Sequence, residues 1–161
     1  MKSNYNIRQM QAYAAACLVV FCNHAGIKHD SVNQLIRHLL AMLTAISLPD
    51  WEQEGTKLDL TGRGDPLPTG IEETLKEEHR EVFNSLVESC VEVGIVDMYL
   101  AGSDQPGYFL DKCVKIIRQF GLELPPVESL KRLRKGEGPW GEAIDEAELK
   151  EFLDEIGFHL I

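Results

Sequence analysis

The sequence predicts an all-α fold, a compact bundle of five or six helices around a nearly apolar first helix. Three observations carry that prediction. Apolar residues recur at three- and four-residue spacing, the period of a helix, through most of the chain. Capping residues, often with Glu or Gln three positions on, open several of these segments, and glycines close most of them. Strand-like alternation is confined to Lys57-Leu58-Asp59-Leu60, which with the apolar tail Phe158-His159-Leu160-Ile161 allows at most one tiny two-stranded β element.

The first helix is expected from about Ile7 to His24. Asn6 is its N-cap, Gln9 stands at N3, and Tyr5 and Met10 are placed as a hydrophobic staple. Its interior, Ala14 through Phe21, is apolar on nearly every side, which suits a helix at the centre of a domain, and Gly26 fits the stop. A second helix begins at Ser31, with Ser31 and Gln34 spaced as a capping box. Val32, Leu35, Ile36, Leu39, Met42, Leu43 and Ile46 line it, and Pro49 ends it. Residues 47–70 are rich in turn formers and read as one long loop, a place where function often resides. The third helix opens at Thr69 and carries Leu75, His79, Val82, Phe83, Leu86 and Cys90 on its inner stripe. Gly94 breaks or kinks it, and residues 95–100 continue as a short helix. After a turn over 102–107, a further helix carries Phe109, Leu110, Cys113, Val114, Ile117 and Phe120 and stops at Gly121. Pro125-Pro126 start a short basic helix to Lys135. The last helix begins at the Asp145 cap, with Glu148 at N3 and an Ile144/Leu149 staple, and Gly157 stops it.

At 161 residues, with no repeat and no linker suited to a boundary, the chain (1–161) reads as a single helical domain. Its net charge of −10 is unevenly placed: six acids face six bases in residues 1–70, but twelve face five in residues 71–130. That field repels phosphate backbones and anionic lipid heads, so neither nucleic acid nor a membrane is the expected partner, and a protein with a basic surface is. The run from Ala12 to Cys22 is too short to cross a bilayer. Cys17, Cys22, Cys90 and Cys113 lie in apolar, helix-like surroundings without a CxxC pair or a secretory leader pattern. Reduced thiols in the cytoplasm are therefore expected.

Chemistry-bearing motifs are sparse. The chain carries no phosphate loop, dinucleotide fingerprint, HExxH or GxSxG elbow, so neither a cofactor nor a catalytic residue is expected. Cys22, His24, His29, His38 and His79 are the candidate metal ligands. Cys22, His24 and His29 surround the turn between the first two helices, and His24, His38 and His79 lie on three separate helices. Bundle metal enzymes commonly carry an ExxH or HxxxH pair on one helix, and this chain has neither. A metal-binding protein or enzyme built on His24, His38 and His79 is the alternative reading. The leading one is a non-catalytic, acidic protein-binding module of the immunity, inhibitor or adaptor kind. It rests on Glu73, Glu77, Glu81 and Glu88, which fall opposite the apolar stripe of the third helix, and on Trp51 and Trp140, loop tryptophans suited to anchoring a partner. Glu73/Glu77 and Glu77/Glu81 would be like charges at i, i+4, each costing about 0.2–0.5 kcal/mol on an isolated helix.

Overall fold

Asn6 starts the first helix by a reciprocal cap: its side chain accepts from the Gln9 N–H, and the Gln9 side chain accepts from the Asn6 N–H. The computed structural model describes residues 5–99 and 102–158. Among these the chain is all-helical, with no strand. Its elements are α1 (Ile7–Ala25), α2 (Asp30–Ala41), α3 (Leu48–Gly55), α4 (Ile71–Thr74), α5 (Glu77–Ile95), α6 (Gln105–Gln119), α7 (Val127–Lys131) and α8 (Glu146–Ile156). Among the described residues eight helices stand where five or six are expected. Residues 57–60 form turns, and residues 159–161 of the expected strand partner lie outside the described residues. No helix among the described residues is long and apolar enough to cross a membrane.

The long helices α1, α5 and α6 pack on one another; α2 and α7 pack on α1, and α3 packs on α2. Every residue of α1 from Ile7 to Val19 is buried, as are Phe21 and Cys22. The helix is less apolar than its interior sequence suggests, because its buried face includes Arg8, Gln9 and Gln11. Each of these polar groups reaches a different neighbour. Arg8 donates from Nη1 to the carbonyls of Met42 and Ala45, beyond the end of α2. Gln9 donates to the Leu130 carbonyl on α7 (3.0 Å), and Gln11 to the Cys90 carbonyl on α5 (2.8 Å). The Tyr13 hydroxyl donates to the Pro125 carbonyl (2.8 Å), and burial pushes its pKa up to about 12. These bonds tie α1 to α5, to α7, to the turns after α2 and to the loop at Pro125, while Arg8 Nε and Gln11 Oε1 are buried without a hydrogen-bond partner among the described residues.

Several boundaries differ from expectation for local reasons. The N-cap of α2 is His29, whose Nδ1 accepts from the Ser31 N–H, so the helix starts before Ser31. It ends at Ala41 in turns of i→i+3 bonds, and Pro49 does not end it. Pro49 instead lies in the first turn of α3, where a missing N–H costs nothing, and Ser47 caps that helix. The long loop therefore contains a helix. The expected third helix is two: Leu75 and Lys76 are extended (ψ 127° and 143°), and they separate α4 from α5. Thr69 makes no cap; the cap position is Gly70 at φ 96°, and the Thr74 hydroxyl bonds the Ile71 carbonyl in competition with the helix ladder.

Gly94 does not break α5. It lies inside the helix because a Cβ there would overlap Gln11 Oε1 and stand 2.9 Å from Trp51 Cη2, so its absence lets α1 and α3 approach. Residues 96–99 form turns, not a short helix, and residues 100–101 lie outside the described residues. The buried Asp97 accepts from the N–H and hydroxyl of Ser103, holding the connection to α6, and Pro106 and Gly107 already belong to that helix. Toward the end, α7 stops at Lys131, short of Lys135. Arg132 then reaches Glu151 (2.7 Å) and Glu155 on α8, so the basic cluster is partly neutralised within the protein. The α8 cap is as the sequence predicts: Asp145 and Glu148 bond reciprocally, and Gly157 closes the helix at φ 73°.

Candidate functional site

The outer face of α5 carries the candidate site. Residues 77, 81, 85, 88 and 92 follow the i, i+4, i+8, i+11, i+15 spacing of one helical face, which reads Glu, Glu, Ser, Glu, Glu. Phe83, Leu86, Val87, Cys90 and Val91 fill the opposite, buried face. Glu77, Glu81 and Glu88 are exposed, and among the described residues no cation pairs with them. Glu73 is exposed too but sits on α4, so the expected Glu73/Glu77 repulsion along one helix does not exist. Glu77 is the first residue of α5, where the positive end of the helix dipole offsets its repulsion with Glu81. Glu92 extends the face by one turn. Its spacing from Glu88 was readable in the sequence, but the expected acidic face stopped short of it.

A groove of about 430 Å3 runs beside the C-terminal half of this face. Glu88 and Glu92 line one side, and Phe109 and Lys112 of α6 line the other. The 62–64 turn closes one end. It can lie against α5 because Gly62, at φ 67°, has no Cβ; one would stand 2.5 Å from Val91 Cγ2. Nothing local in the sequence marks Phe109 and Lys112 as neighbours of Glu88, since the packing of α6 on α5 brings them there.

Neither tryptophan stands free at the surface. Trp51 is 6% exposed. Its Nε1 donates to the His38 carbonyl (2.7 Å), and its ring stacks on the His38 imidazole at 4.7 Å and 4°. As an expected partner anchor it is therefore corrected to a core residue joining α3 to α2. Trp140 is half-buried against the core.

The candidate metal ligands separate into different roles. His29 caps α2. His38 belongs to the Trp51 stack, where burial and then the Arg63 charge lower its pKa to about 4 against an opposing pull from Glu54. Cys22 is buried, which pushes its pKa up to about 12. Only His24 and His79 come together: their rings are 6.0 Å apart, and Phe120 stands 5.8 Å from each. His79 is 8% exposed, packs edge-on to Phe21, and has a buried Nδ1 without a hydrogen-bond partner among the described residues. Among the described residues no group of three or more His, Cys, Asp or Glu side chains is placed to hold a metal ion. The cysteines are free thiols in the core. Cys90 Sγ lies 3.2 Å from the Ala14 carbonyl and 3.6 Å from Cys113 Sγ, and burial raises the pKa values of Cys17 and Cys90 well above the ordinary thiol value.

These features define an all-helical protein with an acidic helix face and an adjoining groove. No family model matches the chain, and no match is found among curated proteins or solved structures.

Proposed function

We propose that this protein is a non-catalytic protein-binding module of the immunity, inhibitor or adaptor kind, and that its partner docks a basic surface on the outer face of α5. The observation that carries the reading is the row Glu77, Glu81, Glu88 and Glu92 on one face of a helix whose other face is core. Carboxylates without an internal cation leave their field available to steer an incoming basic protein, so association should be fast and salt-sensitive. Glu73 on the neighbouring α4 adds to that field, and Trp140 is the remaining tryptophan with surface to offer. A reducing, cytoplasmic setting goes with this reading, since the four thiols are buried and unbridged.

The test is capture of a partner by the immobilised protein from its native extract, followed by titration of that partner at low and high salt. Reversing Glu77, Glu81 and Glu88 to Lys should weaken binding by about tenfold or more, mainly through a slower on-rate, and flatten the salt dependence. A partner held equally well by the reversed protein would exclude the acidic face as its docking surface.

A further inference from the structure

The geometry points to a slot for a partner arginine in the groove between α5 and α6, with Glu88 and Glu92 receiving the guanidinium and Phe109 covering its flat face. This rests on the protein-binding reading above and adds where the partner's anchoring charge goes. The groove, at about 430 Å3, has room for a long side chain and its neighbour. Glu88 and Glu92 stand one helical turn apart on one wall, the half-buried Phe109 lies on the other, and Ile95 contributes apolar surface. A guanidinium suits that combination better than an ammonium, because it forks to carboxylates while its plane stacks on an aromatic ring.

Lys112 supplies an independent observation. Its Nζ stands 5.0 Å from the centroid of the Tyr108 ring and 5.5 Å from that of Phe109. Phe109, the one of these two rings that lines the groove, is thus already engaged by a cation, and that cation is an exposed side chain of the protein itself. Arg63 also lines the groove, but it is tied back to Glu52: Nη1 lies 3.6 Å from the carboxylate, and Nη2 donates to the Glu52 carbonyl at 3.2 Å. Lys112 is therefore the charge that an entering arginine displaces from the Phe109 ring, while Glu88 and Glu92, with no cation paired to them among the described residues, receive the guanidinium.

The experiment is a titration of the full-length, 15N-labelled protein with the tetrapeptide acetyl-Leu-Arg-Leu-Arg-amide, read by amide chemical shifts. Its lysine and citrulline counterparts run in parallel. Saturable shifts are expected around residues 88–92 and 109–112, weaker with the lysine peptide and absent with the citrulline one. The double variant Glu88→Gln/Glu92→Gln should weaken binding by about fivefold, and Lys112→Ala should tighten it by about threefold. Lys115→Ala makes the same charge change at an exposed position of α6 outside the groove, and it should leave affinity within about 1.5-fold of the parent. Shifts centred on Glu77 and Glu81, or equal effects of the two lysine substitutions, overturn the slot and leave the acidic-face reading standing. Absence of saturable shifts anywhere along α5 overturns the slot, and the charge-reversal titration with the captured partner then decides the broader reading separately.

Discussion

Helices α1 and α5 are each nineteen residues long and pack against each other, yet they use their polar residues in opposite ways. On α1, Arg8, Gln9, Gln11 and Tyr13 are buried, and each donates to a backbone carbonyl of another part of the chain. On α5 the acidic side chains stand outside the core, and Glu77, Glu81 and Glu88 are exposed and without a cation partner among the described residues. A polar group with a fixed internal partner is part of the architecture. One that faces water beside like charges contributes little to the fold and remains available to something outside it. The comparison therefore predicts a gradient of stability effects, from large on α1 to negligible on the outer face of α5.

The largest effect belongs to Phe21. It is fully buried, 5.8 Å from the His79 ring and 5.5 Å from the Phe120 ring, so it joins the end of α1 to α5 and to the end of α6. Phe21→Ala should cost about 3–5 kcal/mol through lost burial and a residual cavity. Denaturant unfolding should show a lower midpoint with an unchanged slope. A loss under about 1 kcal/mol would mean that the junction repacks freely and that α1 is not the rigid centre described above.

Next comes the contact between the two helices. Gly94→Ala should cost about 1–3 kcal/mol by overpacking, because its Cβ meets Gln11 Oε1 and Trp51 Cη2. Gln11→Ala alone removes the bond to the Cys90 carbonyl and also destabilises. The double variant should be more stable than the sum of the two losses predicts, since shortening Gln11 makes room for the new methyl. Strict additivity in thermal or denaturant unfolding would place the strain at Trp51 instead.

How much of this was legible follows the range of the forces involved. The caps of α1 and α8 are local, written in Asn6-x-x-Gln9 and Asp145-x-x-Glu148, and the structure has both. The break at Leu75 was hidden because Ile71, Leu75 and His79 keep helical spacing across it and all three are buried. A periodic pattern records which side chains face the core, not whether the backbone between them stays helical. Pro49 is ambiguous in the sequence because proline suits the first turn of a helix as well as the residue after one. Trp51 is flanked in sequence by Asp50 and Glu52, which suggests exposure; its burial comes from His38, thirteen residues earlier. The acidic face was legible from spacing alone, but the opposite wall of the groove was not. Phe109 and Lys112 reach Glu88 only through helix packing.

The His38–Trp51 stack makes the fold sensitive to acid. The imidazole has an ordinary pKa of 6.5 in the unfolded chain and about 4 in the folded one, chiefly through burial and then through Arg63. Between those values the unfolded state binds the extra proton. The contribution to stability is therefore complete above about pH 6.5, falls as the pH drops through that window, and falls no further below about pH 4. Because the ring is only partly buried, solvent screening reduces the effect to about 1–2 kcal/mol. His38→Phe keeps a ring over Trp51 and removes the titration. Subtracting its stability profile from that of the parent protein between pH 4 and 7 should leave a single step of this sign, and a flat difference would show that His38 titrates with the same pKa in the folded and unfolded states.

The smallest effect is the most informative about function. Glu77→Gln, Glu81→Gln and Glu88→Gln combined should change stability by less than about 0.5 kcal/mol, because exposed charges without partners contribute little to folding. Two opposing terms sit inside that figure. Neutralising Glu77 gives up a favourable interaction with the start of α5, while neutralising either it or Glu81 relieves repulsion at i, i+4. Raising the salt concentration screens both terms, so the already small difference should shrink further. The same three changes should produce a large loss of partner affinity, and a surface whose alteration leaves the fold intact but removes binding is what separates a docking face from a merely solvated one. A stability loss of about 2 kcal/mol or more from these substitutions, four times the expected ceiling, would instead place the three carboxylates within the architecture, beside Arg8, Gln9 and Gln11, and dissolve the contrast between the two helices.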